Sequence, residues 1–527
     1  MTERGETGTF LLEVGCEEIP APMIPGALED LASGLAEALG PLAAGAETFT
    51  GFGGPRRLTA LLRKVLRREE DREEIVHGPP RSAAFDAGGR PTKAAEGFAR
   101  KHGVAVNDLA IVTTPKGEVV AARRHVEGRT AAGILSGAVP EVLRRMRFRK
   151  TMRWGDQGFL FVRPVHWILA LFDGEVVPFE FMGARSGRTT LGHRFLGPGP
   201  HEIPDAGSYE EILSAKGAVV ARHAERRKRI LEAANRAASE AGGRLRSDEA
   251  LVDELTFLTE HPAIIAGAFP EVFLELPEPV LMTAMRHHQK YLTIEGPDGR
   301  LRNAFVGVLG TEPDAEGLIR RGNEWVLKAR LADARFFFRE DQKLPLADRV
   351  PALSGVTFHA HLGSYADKSG RLGSLVDLLA RATGTEKTES AALMDAARLC
   401  KTDLTTGMVG EFPELQGVVG GIYARMQGHD EICARAIEEH YRPSGAGEPI
   451  PSPGAPSLLA LADKIDTLAV CFSAGLIPKG SADPYALRRA ALGVLRILIE
   501  NGMRLDLGPV LQAALAAAAG ARGAAPP

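Results

Sequence analysis

The spacing of apolar residues changes about two-thirds of the way along the chain, and that change constrains the fold more than any other feature. Before roughly residue 344, short apolar runs alternate with amphipathic stretches. Phe10–Val14, Val119–Arg123, Phe159–Val162, Trp167–Phe172 and Ala304–Leu309 have strand character. Gly15–Pro20 reads as a turn into a helix with leucines at Leu28, Leu31 and Leu35, and Tyr209–Ile212 and Glu225–Glu240 read as helices. Beyond residue 344 the apolar positions keep helical spacing: Leu372, Leu375, Val376 and Leu379; then Leu393, Ala397, Cys400 and Leu404; then Leu458, Ala462, Ile465 and Ala469. Asp483-Pro484 predicts an N-cap and first helical residue ahead of Leu487, Ala491, Val494 and Leu498. The fold class is therefore multidomain α+β, with mixed α/β modules followed by an all-helical region. Gly197–Pro200 is the clearest linker, which puts the expected domains at 1–200, 201–345 and 346–505, with a tail at 506–527.

The chain has 527 residues, enough for about three to four domains, each able to bury a core. A net charge of −3 excludes a globally basic nucleic-acid binder, so any such contact must use local patches. Four scattered cysteines, Cys16, Cys400, Cys433 and Cys471, do not make a disulfide scaffold or a thiolate zinc site, which favours a reducing compartment. Neither a secretory leader nor an apolar run of about 18 residues is visible, so a soluble cytoplasmic protein without membrane contact is expected.

Three basic runs break the near-neutral average. They are Arg56, Arg57, Arg63, Lys64, Arg67 and Arg68; then Arg144, Arg145, Arg147, Arg149, Lys150 and Arg153; then Arg222 and Arg226–Arg229. Several cations in one footprint suit a polyphosphate backbone, because each neutralised phosphate releases condensed counterions. Phe148 and Trp154 lie within the second run, where their faces would suit unpaired bases. Acidic neighbours such as Glu69–Glu74 supply the plainer alternative of solvated basic faces. In Trp325–Asp341, Leu327, Leu331, Ala334 and Phe338 form a core stripe, while Lys328, Arg335 and Arg339 share another face. His287 and His288 are adjacent, hence about 100° apart on a helix, and read as structural rather than as metal ligands.

No phosphate-binding Gly-rich loop with its lysine, no dinucleotide fingerprint and no nucleophile elbow occurs, which argues against a self-sufficient ATP-using enzyme. The order His359, then Cys400-Lys401, then Asp463 resembles the HD phosphohydrolase superfamily, in which a His, a His-Asp doublet and a later Asp bind divalent metal. Here Cys400-Lys401 occupies the doublet. An ammonium has no lone pair to donate and repels a cation, so the metal centre looks dismantled. Cys400 belongs to the apolar stripe, and Lys401 is expected to replace the metal electrostatically by pairing with Asp463 or Asp403.

Nine ordered blocks then resemble one family, the beta subunit of bacterial heterotetrameric glycyl-tRNA synthetase. They are Leu11–Pro20, Phe52–Leu58, Thr189–Phe195, Met285–Leu292, Arg330–Phe337, His359–Ser364, Glu411–Gly417, Ala462–Leu468 and Ser481–Arg489. The resemblance implies a subunit that grips the tRNA for glycine and docks on a separate alpha subunit, as two alpha and two beta chains. The alpha subunit would carry the class II catalytic core and use ATP and magnesium. This chain would hold no catalytic, cofactor or metal residue and would contain a degenerate HD domain. Family members continue into a helical anticodon-binding domain, which this sequence is expected to lack, with weaker tRNA affinity as the consequence. The RNA-binding candidates are Arg56, Arg57, Arg63, Lys64, Arg144, Arg145, Arg147, Arg149, Lys150, Arg153, Lys328 and Arg335. The alternative is a metal-dependent phosphohydrolase using His359 and Asp463.

Overall fold

The computed structural model describes residues 6–521 except 45–46, 87, 116, 156–157, 159, 360–361, 446 and 479–482. The start of the Phe159–Val162 run, part of the His359–Ser364 and Ser481–Arg489 blocks, and the last six residues therefore lie outside the described residues. The chain forms two compact units. The first comprises Met1–Arg236, Ser247–Ile265 and Val308–Pro313; the second comprises Ala237–Arg246, Ala266–Gly307 and Asp314–Pro527.

In the first unit a seven-stranded sheet runs in the order Glu180–Phe181, Ala184–Gly187, Val165–Phe172, Thr7–Cys16, Arg57–Leu66, Glu47–Gly54, with Glu175–Val176 also pairing with Val165–Phe172. The strand Thr7–Cys16 is central, and the alternation of its side chains assigns the two faces. Phe10, Leu12 and Val14 pack under the helices Ile24–Leu39 and Ala131–Arg145 through Leu31, Leu35, Leu135 and Val139. Leu11 points to the opposite face, against Tyr209 and Leu213 of the helix Tyr209–Ala215. Glu13 shares the parity of Leu11, so a carboxylate enters that second layer. A small module is inserted between Arg57–Leu66 and Ala131–Arg145. Its three strands, ordered Arg72–Pro80, Gly117–Val126, Ala110–Thr114, and the helix Lys93–His102 enclose a small core at Ala84, Ala95 and Val120.

In the second unit Leu292–Glu295 pairs antiparallel with both Arg244–Leu245 and Leu301–Leu309. The helix Leu318–Asp341 buries the expected stripe of Leu327, Leu331, Ala334 and Phe338. The helical half is built around Ala455–Ser473, buried on nearly every side and surrounded by Tyr365–Thr383, Lys387–Leu399, Glu431–Glu439, Leu487–Glu500 and Leu507–Ala521, with Val418–Met426 packed on Glu431–Glu439. Ser364 and Asp367 form a reciprocal capping box at Tyr365, and Gly384 closes that helix in the left-handed region.

The two units divide the chain elsewhere than at the expected positions. Position 200 falls inside the first unit, because Gly197–Pro200 is a packed loop: Thr189–Thr190 pairs with His201–Glu202, and a Cβ on Gly197 would meet the backbone of Gly217. Position 345 falls inside the second unit, where the Asp341 carboxylate accepts from the amides of Gly407 and Met408 at 2.8 and 2.9 Å. Residues 506–527 are not all tail, since Leu507–Ala521 is a helix whose Val510 and Ala514 enter the core; alanine is the strongest helix former. The helix after Asp483-Pro484 also begins later than predicted, at Leu487. Asp483 still caps it, by accepting from the amides of Leu487 and Arg488 at 2.8 and 2.9 Å.

Candidate functional site

The three basic runs separate by burial. Arg57, one of the expected RNA contacts, is an internal cation in the structure: its side chain is 1% exposed. Its Nε donates to Glu260 at 2.8 Å, one Nη lies 3.1 Å from Glu13, and the other donates to the Leu191 carbonyl at 2.9 Å. Burial would depress this guanidinium, but the carboxylates of Glu260 and Glu13 outweigh it and hold the group above its ordinary value. Glu13 also accepts from Trp167 Nε1 and Thr190 Oγ1, each at 2.5 Å, and from the Tyr209 hydroxyl. Arg56 is half-buried and donates to the Gly192 carbonyl at 3.0 Å, whereas Arg63 and Lys64 are exposed.

Apart from exposed Lys228, the third run is internal or paired. Arg226 is buried and donates to the carbonyls of Gly53, Val220, Ala221 and Thr256; Arg222 is held by Glu210, and Arg227 by Glu249 and Asp253. Arg335 lies 2.5 Å from Glu275, which Arg339 shares at 2.9 Å, so this part of the helix face is an ion-pair cluster; Lys328 is exposed.

The second run keeps its cations outside. Arg144, Arg145, Arg147, Arg149, Lys150 and Arg153 are all exposed, at the end of Ala131–Arg145 and along the strand Met152–Arg153, which pairs with Leu160–Phe161. Its aromatic residues do not serve as expected. Phe148 packs edge-on against Phe161 with ring centres 5.3 Å apart, and Trp154 donates to the Phe161 carbonyl at 3.1 Å. Both rings fasten the hairpin to the core, because a half-buried aromatic finds more contact there than in solvent.

In the helical half, Lys401 is fully buried at the end of Lys387–Leu399, with its Nζ 2.9 Å from Asp463 Oδ1. Lys368 approaches the same oxygen at 3.1 Å and lies 3.0 Å from Asp466, which Arg371 also holds at 2.6 Å. Of the two carboxylates expected for Lys401, Asp463 is the ion-pair partner. Burial alone would lower the ammonium and raise the carboxylate; Asp463 reverses the first and Lys368 with Lys401 the second, so Lys401 lies above and Asp463 below its ordinary value. Lys401 also donates to His440 Nε2 at 2.8 Å and lies 3.9 Å from the centre of the Tyr441 ring. Cys400 is a fully buried core thiol, pushed up to about 12 by burial. His359 bonds to the Tyr485 hydroxyl at 3.2 Å. Among the described residues no three His, Cys, Asp or Glu side chains gather to hold a metal ion.

Two buried groups give this cluster opposing acid responses. Burial, helped by Lys401, pulls His440 down to about 3 from 6.5, so stability is lost as pH falls below 6.5. Burial lifts Asp403 from 3.8 to about 6, so its contribution is whole below 3.8 and lost as pH rises through 6. The slopes of these two groups oppose each other between about pH 4 and 6. His440→Gln removes one slope, and its melting temperature relative to wild type should be higher at pH 4.5 than at pH 6.5. A constant difference between the two proteins across that range would count against this assignment.

Among the described residues no helix is long and apolar enough to cross a membrane. Comparison with known proteins gives one consistent result. A model described as the glycyl-tRNA synthetase beta subunit matches residues 10–525. The glycine–tRNA ligase beta subunit of Nitratidesulfovibrio vulgaris strain Miyazaki F is 45% identical over 507 residues, covering 96% of this chain and 72% of that protein. Those of Solidesulfovibrio magneticus and Geotalea daltonii are 44% and 42% identical over 506 residues each, again covering 96% of this chain, and 72% and 73% of the relatives. A match of this identity, spanning both units and every block from the central strand Thr7–Cys16 to the helices around Asp463, means that the chain belongs to the glycyl-tRNA synthetase beta subunit family.

Proposed function

We propose that this chain is the tRNA-holding subunit of glycine–tRNA ligase, supplying grip and geometry while bond-making takes place on an unlike alpha chain. ATP and magnesium belong to that alpha chain, two alpha and two beta chains assemble, and the complex works in the cytoplasm. The helical half is an HD-type domain that has lost its metal chemistry. One observation carries the reading: a buried ammonium, Lys401, stands 2.9 Å from Asp463, where a metal-dependent hydrolase needs a cation bound by lone pairs. The rival phosphohydrolase reading, through His359 and Asp463, finds no support in the relatives, which are named as ligase subunits. Purified alone, the chain is expected neither to form glycyl-tRNA nor to hydrolyse phosphodiesters with manganese; with the alpha chain, glycylation should appear. Glycylation by this chain by itself would end the proposal.

The exposed run Arg144–Arg153 is the grip. Reversing Arg145, Arg147, Arg149 and Arg153 to Glu is expected to weaken tRNA binding more than tenfold at about 0.1 M salt. The log–log salt slope should flatten by roughly 0.7–0.9 for each phosphate that is no longer neutralised. Filter binding across a salt series measures both quantities, and an unchanged slope would clear this patch of any role.

A further inference from the structure

The most exposed large apolar side chain among the described residues is Phe195, 82% accessible, and it stands on a loop that is firmly anchored. Arg57 holds the Leu191 carbonyl at 2.9 Å, Arg56 holds that of Gly192 at 3.0 Å, and the His193 amide donates to Gly217 at 2.7 Å. The buried His193 ring then shapes the tip. Its Nδ1 accepts from the amides of Phe195 and Leu196 at 3.4 and 3.2 Å, which leaves Nε2 to donate to the Gly310 carbonyl at 2.9 Å. Gly192 and Gly197 permit the close approach: a Cβ on Gly192 would lie 2.0 Å from the Gly197 carbonyl oxygen. The Phe195 ring lies with its centre 6.3 Å from that of His193 and is otherwise open to water, so the anchored loop presents its π-face outward.

We infer that Phe195 is a stacking platform for an unpaired nucleobase of tRNA; the inference rests on the tRNA-holding role proposed above. Three observations select a base over other occupants. First, Trp325 and Phe336 share the helix Leu318–Asp341 with exposed Leu318 and Val326, but along its own loop Phe195 is flanked by exposed Arg194 and Pro198–Pro200. A single ring is far less than the ~800 Å² per partner that a stable protein interface needs, whereas one ring suffices for one base. Second, the nearby cations are matched. Arg194 lies 2.5 Å from Glu17, which also contacts His166 at 3.2 Å, and Arg185 lies 3.3 Å from Glu180. Phosphate attraction is therefore weak here, and the π-face is the recognition element. Third, a groove of about 570 Å³ lined by His166, Trp167, Arg185 and Thr189 begins at the base of the same loop, leaving room for the nucleotide next in line.

The test is fluorescence anisotropy of the full chain with a labelled transcript of the tRNA for glycine, using Phe195→Ala, Phe195→Leu and Phe195→Trp. The exposed position lets all three fold, and matching thermal melts check that they do. Phe195→Trp should bind within about twofold of wild type, and Phe195→Ala and Phe195→Leu about tenfold more weakly. The salt slope should be the same in all four proteins, because the set of neutralised phosphates does not change. Wild-type affinity in the Leu variant overturns the inference. So does a Phe195→Ala protein that keeps tRNA affinity but no longer co-elutes with the alpha chain, since that result assigns the ring to protein docking. A wild-type chain that binds no tRNA, with or without the alpha chain, overturns the underlying reading instead and is seen before any variant is made.

Discussion

Arg57→Leu is expected to destabilise the first unit by about 3–5 kcal/mol, a large part of the ~5–15 kcal/mol available to a domain. The guanidinium joins Glu13 on the central strand to Glu260, and these carboxylates are 0% and 4% exposed. Without it, Glu13 retains Trp167, Thr190 and Tyr209 as donors, but Glu260 is left with Arg56 at 3.7 Å. A carboxylate stripped of its partner in a buried site costs far more than the intact pair contributes, because its desolvation is no longer offset. Arg57→Lys should recover less than half of the loss, since one ammonium cannot reach two carboxylates and the Leu191 carbonyl together. Glu260→Gln in the leucine background should restore part of it, as a double-mutant cycle reads coupling between contacting residues. Urea unfolding monitored through the first unit's tryptophans measures these differences. A leucine variant whose urea midpoint matches that of wild type would remove Arg57 from the account of this fold.

Asp463→Asn is expected to cost the second unit a similar ~3–5 kcal/mol and to reverse its response to alkali. In the native protein Asp463 lies below and Lys401 above its ordinary value. The pair's contribution is therefore whole between about pH 4 and 10.5, lost in acid below that window and lost as pH rises past it. In the asparagine variant the burial that lowers Lys401 loses its main opponent, and the ammonium falls below 10.5. Between that lowered value and 10.5 the unfolded chain binds more protons than the folded one, so stability rises with pH. Thermal melts from pH 7 to 10 should climb for the variant relative to wild type. Parallel curves would mean that Lys401 does not depend on Asp463 for its charge.

Much of the architecture was legible because burial imposes a period on sequence. The central strand Thr7–Cys16, the helix beginning at Ile24 and the stripe Leu327, Leu331, Ala334 and Phe338 all lie where apolar spacing puts them. The pairing of Lys401 with Asp463 or Asp403 was also readable, since a lysine beside the core residue Cys400 must find a carboxylate or leave the core, and Asp463 is the partner. Charge was the poor guide. Arg56, Arg57 and Arg63 look alike in sequence, yet they are half-buried, buried and exposed. Arg57 and Arg63 even share strand parity; what distinguishes Arg57 is a Glu260 that is 203 residues away and announces nothing locally. Phe148 and Trp154 drew attention by sitting among cations, and both pack inward. Phe195 closes the family block Thr189–Phe195, with no periodicity to single it out.

The sequence by itself determined several of the strands and helices, the absence of a phosphate-binding loop motif, and membership of the glycyl-tRNA synthetase beta subunit family. Those properties are local, or are carried by residue order, and need no coordinates. The tertiary structure alone decided which cations face water, where the chain divides, and which aromatic ring is left outside. Each of these depends on contacts between residues far apart in the chain: Glu13 with Tyr209, Arg226 with Gly53, His193 with Gly310. Desolvation and ion pairing act through space, and a linear pattern records only what neighbours along the chain can impose.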